Sequence, residues 1–448
     1  MLHDFGRLLR SADYRKLFIG QLVSSTGDWL ATFAFLTLIF ALTGRASDVA
    51  IILVVRLIPP IFAAPVGGVL ADRMSRRTIM VGADLIRAGI ILVVPFVGFE
   101  YLYVLAFVHE CVSLFFLPAR DALIPQLVSD DELEAANGLI LASSNGVLPL
   151  AGLLFSALES VGGNYPVSLP FAAHINRHPE VLAFFVDALS FVLSALLIAR
   201  IRVAADTERI RRNRQMRFFA NFLNSLALVW RNAEIRRLAY GITLAMFGGG
   251  VLFSVGVGYV HQTLHQSSAA FGWLIALWGA GMAIGLIGVR FLTRYGGRFY
   301  VFMVAMLTIG GILLGMSLVP IPVVAFALAA PFGAAFATAL ILATTLAQEY
   351  APADTRGATM GGLQSLLNLG LGLGAICMGW VATVFKRVDL FGITLDGNQV
   401  AMFLGGLLIC LGVVLVGAFT PVLSAFRALG TWSAHQPTAL YHRLKRLK

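Results

Sequence analysis

Long apolar stretches separated by short polar turns set the pattern of this chain. Twelve stretches are apolar over roughly the 20 residues that cross the hydrocarbon of a bilayer. They lie at about 17–42, 48–71, 78–97, 101–119, 135–158, 181–200, 237–260, 270–292, 299–319, 322–347, 358–384 and 399–422. Backbone groups in lipid must be satisfied within their own segment, so each stretch predicts a helix. The expected fold is an all-α membrane protein with twelve transmembrane helices. Spans are numbered one to twelve in this order.

One polar interval is much longer than the rest. Residues 201–236 divide the chain into two sets of six spans. The predicted organisation is a six-helix half over 1–200, a basic linker over 201–236, a second six-helix half over 237–422 and a basic tail over 423–448. Within the linker, Phe218, Phe219, Phe222, Leu223, Leu226 and Trp230 predict an amphipathic helix, with the preceding arginines suited to anionic headgroups. The halves also echo each other. Ala12-Asp13-Tyr14-Arg15-Lys16-Leu17-Phe18-Ile19-Gly20 reads like Ala233-Glu234-Ile235-Arg236-Arg237-Leu238-Ala239-Tyr240-Gly241, an offset of 221. The same offset lays Asp72–Arg77 over Thr293–Arg298. Two stretches sharing one offset argue for duplication with equal topology, so the halves are expected to be pseudo-symmetric.

Composition agrees with lipid as the main solvent. Hydrophobic residues make up 58% of the 448 and charged residues only 12%, about half the charged share of a soluble domain. The net charge of +10 does not point to nucleic acid, because the basic residues cluster in turns on one side of the spans. That side holds 27 Lys and Arg and the other holds four, Arg45, Arg177, Lys386 and Arg387. The bias places both termini in the cytoplasm of a multi-pass protein in the inner, or cytoplasmic, membrane. The first apolar run is too long for a signal-peptide core and no small-residue cleavage site follows it, so no cleaved leader is expected. Cys111, Cys377 and Cys410 lie inside apolar runs and predict free thiols.

The turn between spans two and three reads Gly68-Val69-Leu70-Ala71-Asp72-Arg73-Met74-Ser75-Arg76-Arg77. Its charges exclude it from hydrocarbon. With twelve spans and a duplication, it resembles motif A of the major facilitator superfamily, G-x-L-A-D-R-x-G-R-R/K, with Ser75 where the family usually has Gly. The resemblance covers essentially the whole chain. It implies transport by alternating access, and a cytoplasmic latch built from Gly68, Leu70, Asp72, Arg73, Arg76 and Arg77. In that latch Asp72 would face the N-terminus of span eleven near Gly357 and Arg76 would reach Asp121 at the base of span four, in the outward-facing state. Ser25-Thr26-Gly27-Asp28-Trp29, Asp84-Leu85-Ile86-Arg87-Ala88, Leu117-Pro118-Ala119-Arg120-Asp121-Ala122 and Ala135-Ala136-Asn137-Gly138 resemble the exporter branch that holds macrolide-efflux and siderophore-export proteins. Gly146-Val147-Leu148-Pro149-Leu150-Ala151-Gly152 keeps only part of that superfamily's antiporter motif.

Charges inside spans are costly, about 2.5–3.5 kcal/mol each on insertion scales, so they are expected to face a cavity or a partner. They are Asp28, Arg56, Asp84, Arg87, Glu110 beside His109, and Asp187, all in the first half. Asp28 and Glu110 are the candidate proton carriers, and the depths of Asp28 and Arg56 are compatible with a pair. Asp84 and Arg87, three residues apart on one helix, are expected to pair. Asp187 is expected at the interface and His109 as a satisfied helix residue. Asn145, Gln364 and Asn368 are further polar candidates for substrate contact, and Trp29, Phe33, Phe35, Trp273 and Trp278 are candidates for an apolar cavity wall. No His/Cys spacing suggests a metal, and Leu369-Gly370-Leu371-Gly372-Leu373-Gly374 lacks the strand and the Lys-Ser/Thr of a phosphate loop. No cofactor is expected, and no enzymatic chemistry.

The leading expectation is a monomeric, proton-coupled exporter of small amphipathic or lipophilic molecules, drug-like or siderophore-like. Its partners would be the substrate, the proton and the bilayer. A lipid or lysophospholipid flippase on the same fold is the alternative, and a non-transporting membrane sensor is a third reading from a different class.

Overall fold

The structure is a computed structural model that describes residues 6–56, 59, 75–164, 178–202, 218–352, 355–390 and 392–418. The helices, in chain order, are α1 (Ala12–Thr43), α2 (46–56), α3 (Arg76–Val93), α4 (Phe99–Leu123), α5 (Leu133–Asn145), α6 (Leu148–Asn164) and α7 (Val181–Ala199). After the linker come α8 (Phe218–Arg231), α9 (Ala233–Gly258), α10 (Ser268–Gly296), α11 (Arg298–Leu318), α12 (Pro322–Tyr350), α13 (Arg356–Val384) and α14 (Gly397–Ala418). Among the described residues, ten helices are long and apolar enough to cross a membrane. Span two is described only in its first part, α2. The fold is the expected all-α membrane bundle.

Local chemistry sets the helix ends. Gly44, at φ 66°, closes α1 and donates its N–H to the Phe40 carbonyl at 2.7 Å. Ser75 caps α3, accepting from the Thr78 amide at 3.2 Å. Asp396 and Gln399 form a reciprocal capping box before α14, each accepting the other's amide at 2.8–2.9 Å. Two features depart from the sequence reading. Span five is not one helix, because the chain breaks at residues 146–147 into α5 and α6, just before Pro149, whose ring cannot continue a helix. Between α13 and α14 stands a small antiparallel hairpin, Arg387–Leu390 with Ile393–Asp396, turned at Gly392 with φ 82°.

The halves repeat one packing scheme. In the first, α7 packs against α1 and α3, and α3 against α4. In the second, α14 packs against α9 and α11, and α11 against α12. The repeat offset survives in the helix starts, Ala12 with Ala233 and, within one residue, Arg76 with Arg298. Outward faces carry stripes of apolar residues at helical spacing, such as Leu189, Leu193 and Leu196 on α7 and Ile284, Ile287 and Phe291 on α10. A stripe of this kind fits lipid. The linker helix α8 packs against α13, where Gly362 receives the Ser225 carbonyl.

Among the described residues, the halves meet most extensively along α6 and α10. Gly152 faces the backbone of Gly272 and Ala276, and Gly272 faces Ser156. A Cβ at Gly152 would lie 2.6 Å from the Ala276 nitrogen, so glycine is required for this approach. Further contacts join the ends of the halves away from the basic turns. Gln262 Nε2 donates to the Gly44 carbonyl at 3.3 Å and the Ser47 amide to Thr383 Oγ1 at 3.2 Å.

Candidate functional site

The intramembrane charges converge. Asp28 sits midway along α1, Arg56 at the end of described α2, Asp84 and Arg87 on α3, His109 and Glu110 on α4, and Asp187 on α7. Five helices thus supply one cluster inside the first six spans. Adjacent residues on a helix point about 100° apart, so His109 and Glu110 reach different partners.

Arg56 Nε donates to Glu110 Oε1 at 2.7 Å, and its Nη1 donates to Thr32 Oγ1. The pairing of Arg56 is therefore with Glu110 and Thr32 rather than with Asp28. Asp84 and Arg87 pair as their spacing implies, with Arg87 Nη2 donating to Asp84 Oδ1. The Arg87 guanidinium also lies over two rings, 4.6 Å from the centroid of Phe116 and 4.3 Å from that of Phe191, cation–π contacts that help hold a charge in an apolar setting. Asp28 lies 3.9 Å from Arg87 through Oδ2 and 3.9 Å from His109 Nε2 through Oδ1. These distances exceed hydrogen bonds, and the Asp28 side chain keeps 32% of its surface exposed, far more than its neighbours.

The sequence reading puts Asp187 at the interface, but it is fully buried, 0% exposed. Gly27 explains its position. A Cβ there would collide with Ser190 Oγ and Asp187 Oδ1, so the bare glycine lets α7 bring its carboxylate against α1. Ser190 Oγ donates to Asp187 Oδ1 at 3.2 Å. The signal in the sequence is the Gly27-Asp28 step itself, a small residue beside a mid-span acid.

A cavity of about 400 Å³ opens beside this cluster. Asp28, Trp29, Thr32, Arg56 and Glu110 form one wall, and Phe253, Leu371 and Ala375 from the second half form the other. Trp29 and Phe253 also line an adjoining apolar cavity of about 130 Å³, walled by Phe33, Phe271, Trp278 and Phe336. Trp29 is anchored by its Nε1–H, which donates to the Ser144 carbonyl at 3.1 Å. Ionic groups thus come from one half and most of the apolar surface from the other.

The remaining candidates fall elsewhere. Asn145 is the last residue of α5. Gln364 Nε2 donates to Asn368 Oδ1 at 3.2 Å, so these two pair along α13 while Leu371 and Ala375 of that helix face the cavity. Trp273 is exposed on the outside of α10. Gly68, Leu70, Asp72 and Arg73 lie outside the described residues. Arg76 Nη1 donates to the Ala122 carbonyl at 2.7 Å and Arg77 Nη1 to the Ile201 carbonyl at 3.0 Å. Asp121 holds Arg120 at 2.8 Å.

Comparison with known proteins gives a consistent answer. The sequence model described as Major Facilitator Superfamily matches residues 17–375. The multidrug efflux pump Tap of Mycobacterium tuberculosis is 24% identical over 378 residues, covering 81% of this chain and 85% of Tap. Macrolide efflux protein A of Streptococcus pyogenes is 25% identical over 437 residues, covering 92% of this chain and 96% of that protein. Among solved structures, the nucleoside transporter NupG superposes with a TM-score of 0.66 at 14% identity, covering 90% of this chain and 98% of that one. That likeness concerns the fold.

Proposed function

Because the chain belongs to the major facilitator superfamily, and is therefore a membrane transport protein, we propose that it exports small amphipathic, drug-like molecules across the inner membrane, driven by protons. The observation that carries this reading is the divided cavity. Its first-half wall offers Asp28, with one face open, beside the Arg56–Glu110 pair. Its second-half wall offers Phe253 and, in the adjoining pocket, Trp278 and Phe336. A molecule with an apolar body and one polar or basic group matches both walls, since apolar surfaces supply area and a few polar groups fix orientation. The efflux activities named for the Tap and macrolide relatives support the direction of transport.

Charge balance supports proton coupling. The cluster contains four carboxylates, Asp28, Asp84, Glu110 and Asp187, against the guanidiniums of Arg56 and Arg87, a formal charge of −2 with neutral imidazole. An unbalanced charge in a low-dielectric interior is costly. Protons, or a cationic substrate, relieve that cost, and exchange of one for the other at Asp28 couples them. Glu110 is the second candidate carrier, restrained by Arg56.

The basic turns support cytoplasmic termini. The contacts between the halves, Gly152 with Ala276, Gln262 with Gly44 and Ser47 with Thr383, then lie in the outer half of the membrane. This supports an inward-open state of an alternating-access cycle. In the opposite state, the 68–77 turn is proposed to latch the cytoplasmic side.

Purified protein in liposomes, given a pH gradient and a panel of lipophilic dyes and macrolides, tests the proposal. Gradient-dependent flux of at least one amphipathic compound, lost in Asp28→Asn, is the expected result. Flux equal with and without the gradient would refute proton coupling. Movement of labelled lysophospholipid with none of the panel compounds would favour lipid translocation.

A further inference from the structure

We propose that Asp28, His109 and Asp187 form a binding site for a divalent first-row transition-metal cation, within reach of the central cavity. Each residue offers one donor atom, and the three donors lie within 4.8 Å of one another. They come from α1, α4 and α7, so no spacing along the chain announces them.

The orientation of the donors is the first support. His109 is 2% exposed and its Nε2 has no hydrogen-bond partner. Asp187 is 0% exposed and its Oδ2 is likewise unpartnered, while Oδ1 is held by Ser190. Two buried polar atoms without partners are expensive to maintain. Both belong to the same trio as Asp28, whose Oδ1 faces His109 Nε2 at 3.9 Å. Bonds of about 2.0–2.2 Å to nitrogen and oxygen place two ligands of one ion at most about 4.4 Å apart. The His109–Asp28 separation already falls inside that limit, and a small inward shift brings in Asp187.

The surrounding charges are the second support. Arg87 is the nearby cation, 3.9 Å from Asp28, but its ion-pair contact is with Asp84. One of its nitrogens is bound to Asp84, it lies over the rings of Phe116 and Phe191, and its closest contact with Asp28 is to Oδ2 rather than to the Oδ1 that is nearest His109. Arg56 is occupied by Glu110 and Thr32. The formal charge of −2 left on the cluster equals what one divalent ion neutralises. A single imidazole with two carboxylates suits zinc, cobalt, iron or manganese, whereas calcium and magnesium prefer all-oxygen shells. Asp28 also lines the cavity, which gives the ion a way in and leaves a coordination position for water.

The test is a cobalt titration of the tag-free, full-length protein in detergent near neutral pH, read by visible d–d absorption and by bound-metal stoichiometry. One Co²⁺ per chain is expected, displaced by Zn²⁺ and not by excess Mg²⁺. His109→Gln and Asp187→Asn should each weaken binding about tenfold or more. His178→Gln, a histidine outside the cluster, should bind as the wild type does. If the wild type binds no cobalt, or if both cluster variants bind it normally, the site does not exist. Should Asp187→Asn fail to fold, His109→Gln decides alone. Because substrate flux is not measured, failure here leaves the export proposal standing, and failure of that proposal leaves the site standing.

Discussion

The two halves share a frame and differ in what fills it. Helices α1 and α9 begin at matching positions of the repeat, yet the residue aligned with Asp28 is Gly249. On α3 and α11, Asp84 and Arg87 align with Ala305 and Thr308. The first half gathers charges around Asp28, and the second gathers Phe253, Trp278, Phe332 and Phe336 into edge-to-face contacts at 5.7–5.8 Å about the Trp278 ring. The halves therefore share their packing geometry but not their chemistry. One half brings the ionic groups to the cavities and the other most of their apolar lining.

The largest expected effect tests whether charge handling belongs to the first half alone. Asp28→Asn should reduce gradient-driven flux to the level of protein-free liposomes; a full gradient response would break the division. Next, Arg56→Leu should destabilise the protein by about 3–5 kcal/mol in detergent melts, because Glu110 is left as an uncompensated buried charge. Adding Glu110→Leu should recover most of that loss. Asp72→Asn should lower flux several-fold with membrane insertion unchanged, which assays the latch separately from the cavity. In the second half, Trp278→Ala should raise the half-saturating concentration of an apolar substrate about tenfold while gradient dependence persists. Loss of gradient dependence in that variant would show that the halves do not divide the work. The smallest effect is expected at Asp121, which is 62% exposed and, among the described residues, pairs with its neighbour Arg120. Asp121→Asn should change stability by no more than about 0.5 kcal/mol, so a transport defect there would point to a pairing with Arg76 formed in the other state.

Much of the frame was legible because hydrocarbon imposes a length and a composition on every span. The duplication was legible in Ala12–Gly20 and Ala233–Gly241, and the helices start where those stretches do. The identity of the intramembrane charges was also readable, since any ionisable residue inside a span stands out. Their partners were not. Arg56 and Asp28 occur at compatible depths, but which residue a guanidinium meets depends on how each helix is rotated about its axis, and periodicity in an apolar helix carries little of that information. His109 and Asp187 escape a reading of the sequence for the same reason, since neither shows its convergence with Asp28 until α1, α4 and α7 are assembled. The break at 146–147 was hinted at by Pro149, whereas the hairpin at 387–396 has too few residues to rise above the surrounding loop.

The imbalance of four carboxylates against two guanidiniums has an electrical consequence. A group of fixed charges midway through a membrane sits within the transmembrane field, and each elementary charge that crosses 100 mV exchanges about 2.3 kcal/mol with it. On the proposed alternating-access cycle, the unloaded protein, with its formal charge of −2, would feel the membrane voltage whenever the halves change which side the cluster faces. Loaded with the two protons or the one divalent ion proposed above, it would not. Voltage should then set the rate of the empty return stroke and leave the loaded stroke nearly untouched, so transient currents recorded without substrate carry the signature of this cluster.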